Sequence, residues 1–174
     1  MTGVFVHPLV TDSIGLTAVG MDAGYYTNLI AREIVRLLRE CGIYTELPDG
    51  GISDSAAIAR SNAKRFGIHI ALCLSGGENF GQKLEALYLP QSKKGRKLAE
   101  GIVRELAEIH PQKRVVSARC NKKAMCLKET SATAVLVSLC NRDHILDASW
   151  VADNVLSIAG CIVVALLEFM KTEF

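Results

Sequence analysis

Apolar and polar residues follow two rhythms along this chain. From Tyr25 the apolar positions Ile30, Ile34, Leu37 and Cys41 recur at helical spacing, and Gly42 follows as a residue suited to close the helix. Ser92 is placed to cap a second such face, built from Leu98, Ile102, Leu106 and Ile109 and ended by Pro111. Val151, Val155, Ile158, Ile162, Ala165 and Phe169 extend a third as one long final helix. Short β-prone runs lie between them: Val4 to Val6, Ile43 to Leu47, Ile68 to Leu74, Leu84 to Leu89, Val115 to Ala118 and Ala134 to Leu139. Ser53 and Asp54 offer an N-cap for a helix through Arg65, Gly76 and Gly77 break the strand before them, and 120–133 reads as irregular.

Strands alternating with helices of ten or more residues predict an α/β fold, a twisted and mostly parallel sheet flanked by helices on both faces. A length of 174 residues, 49% hydrophobic, suits one such domain over 1–174. The most apolar segment, Ala159 to Leu167, is about half a bilayer span, so no membrane segment is expected. MTGVFVHPL lacks the basic and apolar regions of a signal peptide, which predicts a cytoplasmic protein. Six cysteines without CxxC pairs do not suggest a disulfide framework. The positive mean hydropathy hints at a homo-oligomer or another partner that shares apolar surface.

Charge is uneven. Ser92 to Lys128 holds eleven Lys or Arg against three Glu, which admits a polyanionic partner; the segment has no aromatic residue for stacking, so nucleic acid is not expected. Walker-type loops, GxGxxG and GxSxG are all absent, which argues against nucleotide and serine-hydrolase chemistry. His7, Cys73, Ser138 and Cys140 fall instead at or near the C-terminal ends of strands, where open α/β sheets gather their sites. His69 shares a strand face with Cys73 and reads most simply as a satisfied buried imidazole. Asp143, His144, Asp147 and Ser149 read as caps of the helix that follows.

Three segments together, YYTNLIAREIVRLLRECGI, IARSNAKRFGIHIALCLSGG and AVLVSLCNRDHILDASWVADNVLSIAG, resemble the zinc-dependent N-acetylmuramoyl-L-alanine amidases nearly end to end. Asn28, Leu29, Arg60, Asn62, Asp143, Asp147, Trp150 and Asn154 carry the likeness. The resemblance implies a zinc ion on histidine and glutamate ligands, with a further glutamate as general base, hydrolysing the amide between N-acetylmuramic acid and L-alanine of peptidoglycan.

Mapped residue by residue, that machinery has changed. The first ligand falls near Val10 or Thr11, with His7 displaced from it, and the ligand glutamate falls on Gly24, with Asp22 nearest in chemistry. The strand-end histidine becomes Cys73, the catalytic glutamate Ser138, and the glycine after it Cys140. Zinc sites need three or four good ligands, and losing a general base forfeits about two to four orders of magnitude in rate. The expected outcome is an amidase-like pseudoenzyme without zinc. It would act as a binding or scaffold module for a peptidoglycan fragment, another copy or an active amidase homologue. The alternative is an active zinc amidase with a rebuilt site using His7 or Asp22 with Cys73, Cys140 and Cys126.

Overall fold

A computed structural model of the chain describes residues 2–10, 15–50, 52–76 and 81–174. In order, its elements are β1 (Val4–Pro8), α1 (Ala23–Glu40), β2 (Thr45–Glu46), α2 (Asp54–Ala63), β3 (Ile68–Ser75), β4 (Leu84–Tyr88), α3 (Lys93–Ile109), β5 (Val116–Cys120), α4 (Met125–Lys128), β6 (Thr133–Asn141), α5 (Ile145–Asp153) and α6 (Val155–Glu173). Six strands form one mixed sheet in the order β2-β1-β3-β6-β4-β5. All neighbouring pairs run parallel except β4 and β6.

That one reversal has a simple cause. A parallel return needs a crossover of a dozen or more residues, and only 76–83 separate β3 from β4. The chain therefore comes back in the opposite direction, on the far side of β6. Each parallel neighbour is reached through a longer connection, as β5 is reached from β4 through α3.

Helices cover both faces, as the alternating pattern predicts. Val4, Val6, Ile70, Leu72, Val135 and Val137 point to one side, where Ile34 of α1, Ile102 of α3 and Ile162 of α6 complete the larger core. On the other side Ala71, Cys73, Ala134 and Leu136 meet Ile58 of α2 and Cys126 and Leu127 of α4. Phe5, Ala57 and Phe66 form a third, smaller cluster. At Gly95 of α3 the helix comes so close to β6 that an added Cβ would lie 3.2 Å from the Ala134 carbonyl oxygen.

Two elements differ from the expected pattern. The final helix is two helices, because the Asn154 side chain donates to the Trp150 carbonyl at 2.8 Å and competes with the regular backbone ladder. α6 is nineteen residues long, twice its most apolar run, and is long and apolar enough to cross a membrane by length and composition. In this fold its Ile158, Ile162, Leu166 and Phe169 are buried in the larger core beside α1 and α3. The irregular stretch after β5 also contains one helical turn, α4.

Asp147 does not cap α5 but ties the strand ends together. It is wholly buried and accepts from the Lys83 N–H at 2.8 Å, the Asn141 N–H at 3.0 Å and Gln82 Nε2 at 2.9 Å. One carboxylate thus fixes the entry to β4 against the exit of β6. Asp147→Ala leaves these donors without their acceptor and is expected to cost on the order of 3 kcal/mol in urea unfolding. A loss below about 1 kcal/mol would show that the strap carries little.

Candidate functional site

Parallel registry decides which side chains meet at the strand ends. His7 pairs with Ala71 and Cys73 with Ser138, so His7, His69, Cys73 and Ser138 share the face covered by α2 and α4. Beyond Cys73 the register slips, which carries β6 two residues past its expected end. Cys140 packs instead in the core under α1, α3 and α6.

His7 and His69 lie in one buried hydrogen-bonded chain. His7 Nε2 is 3.2 Å from Asp54 Oδ1, His7 Nδ1 is 3.1 Å from His69 Nε2, and His69 Nδ1 is 3.0 Å from Ser61 Oγ. With both rings neutral, one assignment satisfies every link: Ser61 donates to His69, His69 to His7, and His7 to Asp54. Asp54 also accepts from the Val10 N–H at 2.9 Å. Asp54 and Ser61 sit two turns apart on α2, so the chain fastens that helix to β1 and β3. Burial holds both imidazoles neutral: it pushes His69 down to about 3, with the neighbouring His7 adding to the effect. At His7 burial outweighs the pull of Asp54 in the other direction.

A cleft of about 440 Å³ opens farther along the same face, lined by Cys73, Ser75, Lys83, Glu85, Lys123 and Ser138 among others. At its floor Ser75 Oγ and Ser138 Oγ are 2.7 Å apart, and Ser75 Oγ lies 3.4 Å from the Cys140 carbonyl oxygen. Glu85 stands directly across from Ser138 in the antiparallel β4 and β6 pairing. Glu85 is buried, and its carboxylate is held by Lys83 at 3.3 Å and Arg119 at 3.4 Å. One wall is the start of α4. Asn62 of α2 helps to hold the segment after α4 by donating to the Glu129 carbonyl and accepting from the Ser131 N–H.

These residues do not fit a zinc ion. Among the described residues no three His, Cys, Asp or Glu side chains stand together in metal-binding geometry. Both nitrogens of His7 are engaged, so the ring has no lone pair to give while the chain is intact. Asp22 is the N-cap of α1, accepting from the Tyr25 N–H at 2.7 Å. Burial pushes the Cys140 thiol far up, away from the thiolate that binds metals. Cys73 packs with Ala71, Cys126 and Leu136, while Val10 and Gly24 offer no side-chain donor. Thr11 and Gly77 lie outside the described residues.

Asp54, Ser61 and Glu85 were not among the expected site residues. The spacing of Asp54 and Ser61 by two helical turns was a visible signal. Glu85 could be paired with Ser138 only once β4 was known to run antiparallel.

No protein-family model matches the sequence, and no curated protein matches it. Solved structures do share its fold. An N-acetylmuramoyl-L-alanine amidase from Clostridium difficile 630 superposes with a TM-score of 0.87 at 15% identity, over 99% of this chain and 98% of that one. The amidase AmiC2 of Nostoc punctiforme gives 0.86 at 15% identity, over 98% and 97%. The CwlD amidase of Clostridioides difficile, solved in complex with the GerS lipoprotein, gives 0.82 at 10% identity, over 99% and 100%. The architecture is therefore that of the amidase catalytic domains.

The neutral histidines set a pH dependence. Unfolded, His69 titrates near its ordinary 6.5; folded, it stays neutral until about 3. The unfolded chain thus binds protons first as pH falls, so this stabilisation is complete above about 6.5 and is lost on acidification towards 3. Between pH 7.5 and 5.0, urea unfolding should lose about 2 kcal/mol from His69 alone, with a smaller slope in His69→Gln. An unchanged slope in that variant would remove His69 as the cause.

Proposed function

We propose that this protein is an N-acetylmuramoyl-L-alanine amidase-like binding module that has given up zinc-dependent hydrolysis. Its strand-end cleft holds a ligand, or a segment of a partner, without cutting it. The observation that carries this reading is the hydroxyl pair at the cleft floor: Ser138 stands where the resemblance expects the general base, and it is hydrogen-bonded to Ser75. A hydroxyl cannot take a proton from water at neutral pH as a carboxylate does. Glu85 lies one strand away, with its two oxygens facing Lys83 and Arg119.

The ligand positions support the same conclusion. His7 is committed to His69 and Asp54, Asp22 to a helix cap, and Cys140 to the core. The rebuilt Cys/His centre is not favoured, since these groups are spent on the fold in separate places. A binding role agrees with a cleft that lies in the size range of small-molecule sites. The CwlD complex with a lipoprotein offers a precedent for an amidase domain that works with a partner, here another copy, an active amidase or a peptidoglycan fragment.

Zinc analysis of purified protein, with chromatography of peptides released from peptidoglycan, tests the proposal. The expected result is zinc well below one per chain and no released peptide. Ser138→Glu alone is expected to remain inactive, because it supplies a carboxylate and no ligands. One zinc per chain together with released peptide would falsify the reading.

A further inference from the structure

The basic segment of the chain runs along an open edge of the sheet. β5 is the last strand in the order β2-β1-β3-β6-β4-β5, so it has a neighbour on one side only. The Asn121 N–H, just beyond β5, donates to the Tyr88 carbonyl of β4 at 2.8 Å. Backbone groups alternate in direction along a strand, so Ser117 and Arg119 also face β4, while Ala118 and Cys120 turn their N–H and C=O groups outward. Among the described residues no turn, loop or side chain bonds those outward groups. The opposite edge offers less, since β2 has only two residues.

Charge narrows what this edge can accept. Residues 113–128 contain six Lys or Arg and no Asp or Glu. Lys113 pairs with Glu108 and Arg119 with Glu85. Arg114, Lys122, Lys123 and Lys128 have no acidic partner within ion-pair distance among the described residues. The residues outside that description include two acids, Asp12 and Glu78, so at least two of the four cations are uncompensated. Arg114 stands just before β5 and Lys122 just after it, both exposed, so positive charge flanks the edge at each end. A second copy pairing edge to edge brings these like charges together, which is how edge strands are kept from self-association. An acidic strand meets the same cations with the opposite sign. Nucleic acid fits less well, because 92–128 has no aromatic side chain on which bases could stack, and the outward peptide groups match a strand.

We infer that the β5 edge is a docking site for an extended acidic segment of a partner protein, which joins the sheet as a further strand. The main chain of that segment bonds Ala118 and Cys120, and its carboxylates meet Arg114 and Lys122. Main-chain pairing supplies affinity, and the flanking charge selects the partner. The edge lies on the far side of β4 from Ser138, so this surface is additional to the binding role proposed for the cleft.

The test uses the full chain and the peptide acetyl-Glu-Asp-Val-Thr-Val-Thr-Asp-Glu-amide. Its controls are the same peptide with lysine at every acidic position, the acidic peptide with every central amide N-methylated, and single-stranded oligothymidylate. Amide hydrogen exchange followed by NMR reads the outward groups directly. The acidic peptide is expected to slow exchange at Ala118 and Cys120 about tenfold or more, with much less change at Ser117 and Arg119, which already bond β4. The lysine and N-methylated peptides are expected to give no protection. Arg114→Glu combined with Lys122→Glu, both at exposed positions, is expected to weaken the acidic peptide about tenfold and to admit the lysine peptide. Ala118→Pro removes one outward donor without touching the β4 ladder and is expected to abolish protection at Cys120. Unchanged exchange at Ala118 and Cys120 under excess acidic peptide would overturn the site. Equal protection by the lysine peptide would overturn the role of charge, and protection by the N-methylated peptide would overturn strand pairing. Tighter binding of oligothymidylate than of the acidic peptide would replace the protein partner with a nucleic acid. None of these outcomes depends on zinc or on peptide release, so they stand apart from the test of the cleft.

Discussion

A sheet covered by helices on both faces gives its inner side chains no water to bond with, and the strand ends of this protein are arranged around that constraint. An unsatisfied buried polar group costs about 1–3 kcal/mol, a large share of the stability of a domain this size. The polar residues on these strands therefore come with partners. His7 and His69 bond each other and end on Asp54 and Ser61. Ser75 meets Ser138, and Glu85 meets two cations. Asp147 gathers three donors at once. Each set spans at least two elements, so satisfying the polar groups also fixes how the elements sit.

The same constraint bears on metal chemistry. A metal ion is one way to satisfy a cluster of buried imidazoles and carboxylates, and a site that lost only some of its ligands would keep the rest as unpaired groups. Here the imidazole at the end of β1 has both nitrogens bonded within the protein. The hydrogen-bonded chain does structural work, since Asp54 and Ser61 hold α2 to the sheet, and α2 in turn holds the segment after α4 that walls the cleft. Drawing His7 away to a metal would break that connection from Asp54 to His69. The residues are coherent as a frame for binding, which is the role proposed for them.

Much of the fold was legible from apolar spacing, because period and capping are local. Ile30 and Ile34 on α1 and Ile68 to Leu74 on β3 declare themselves within a few residues, although the buried face of α1 continues through Leu38 and not through the expected Leu37 and the exposed Cys41. What escaped depended on relations across the chain. The direction of β4 follows from the short link 76–83, a signal of length that the composition of LEALY does not carry. The break at Asn154 turns on one side-chain hydrogen bond. The satisfied state of His69 was readable from its place in an apolar strand, whereas its partners were not, since His7 lies 62 residues away and Asp54 serves from another helix. Glu85 was hidden for the same reason, its neighbour being set by registry across 53 positions.

Architecture and chemistry tolerate sequence change very differently, and this explains how a TM-score of 0.87 coexists with 15% identity. A core position on β3 or α6 asks for an apolar side chain of suitable volume, and swaps that conserve volume usually cost under about 1.5 kcal/mol. The identity of Ile70 or Ile162 can drift while the layers persist. A general base asks for one functional group at one atom's position, and no hydrophobic or hydroxyl substitute approximates it. Ser138 shows the asymmetry most directly. It keeps the strand, the register with Cys73 and a buried side chain, and its hydroxyl is hydrogen-bonded to Ser75 at the position where the resemblance expects a carboxylate. Glu85 arrives from the neighbouring strand already facing two cations, so it shapes the charge of the cleft beside Ser138.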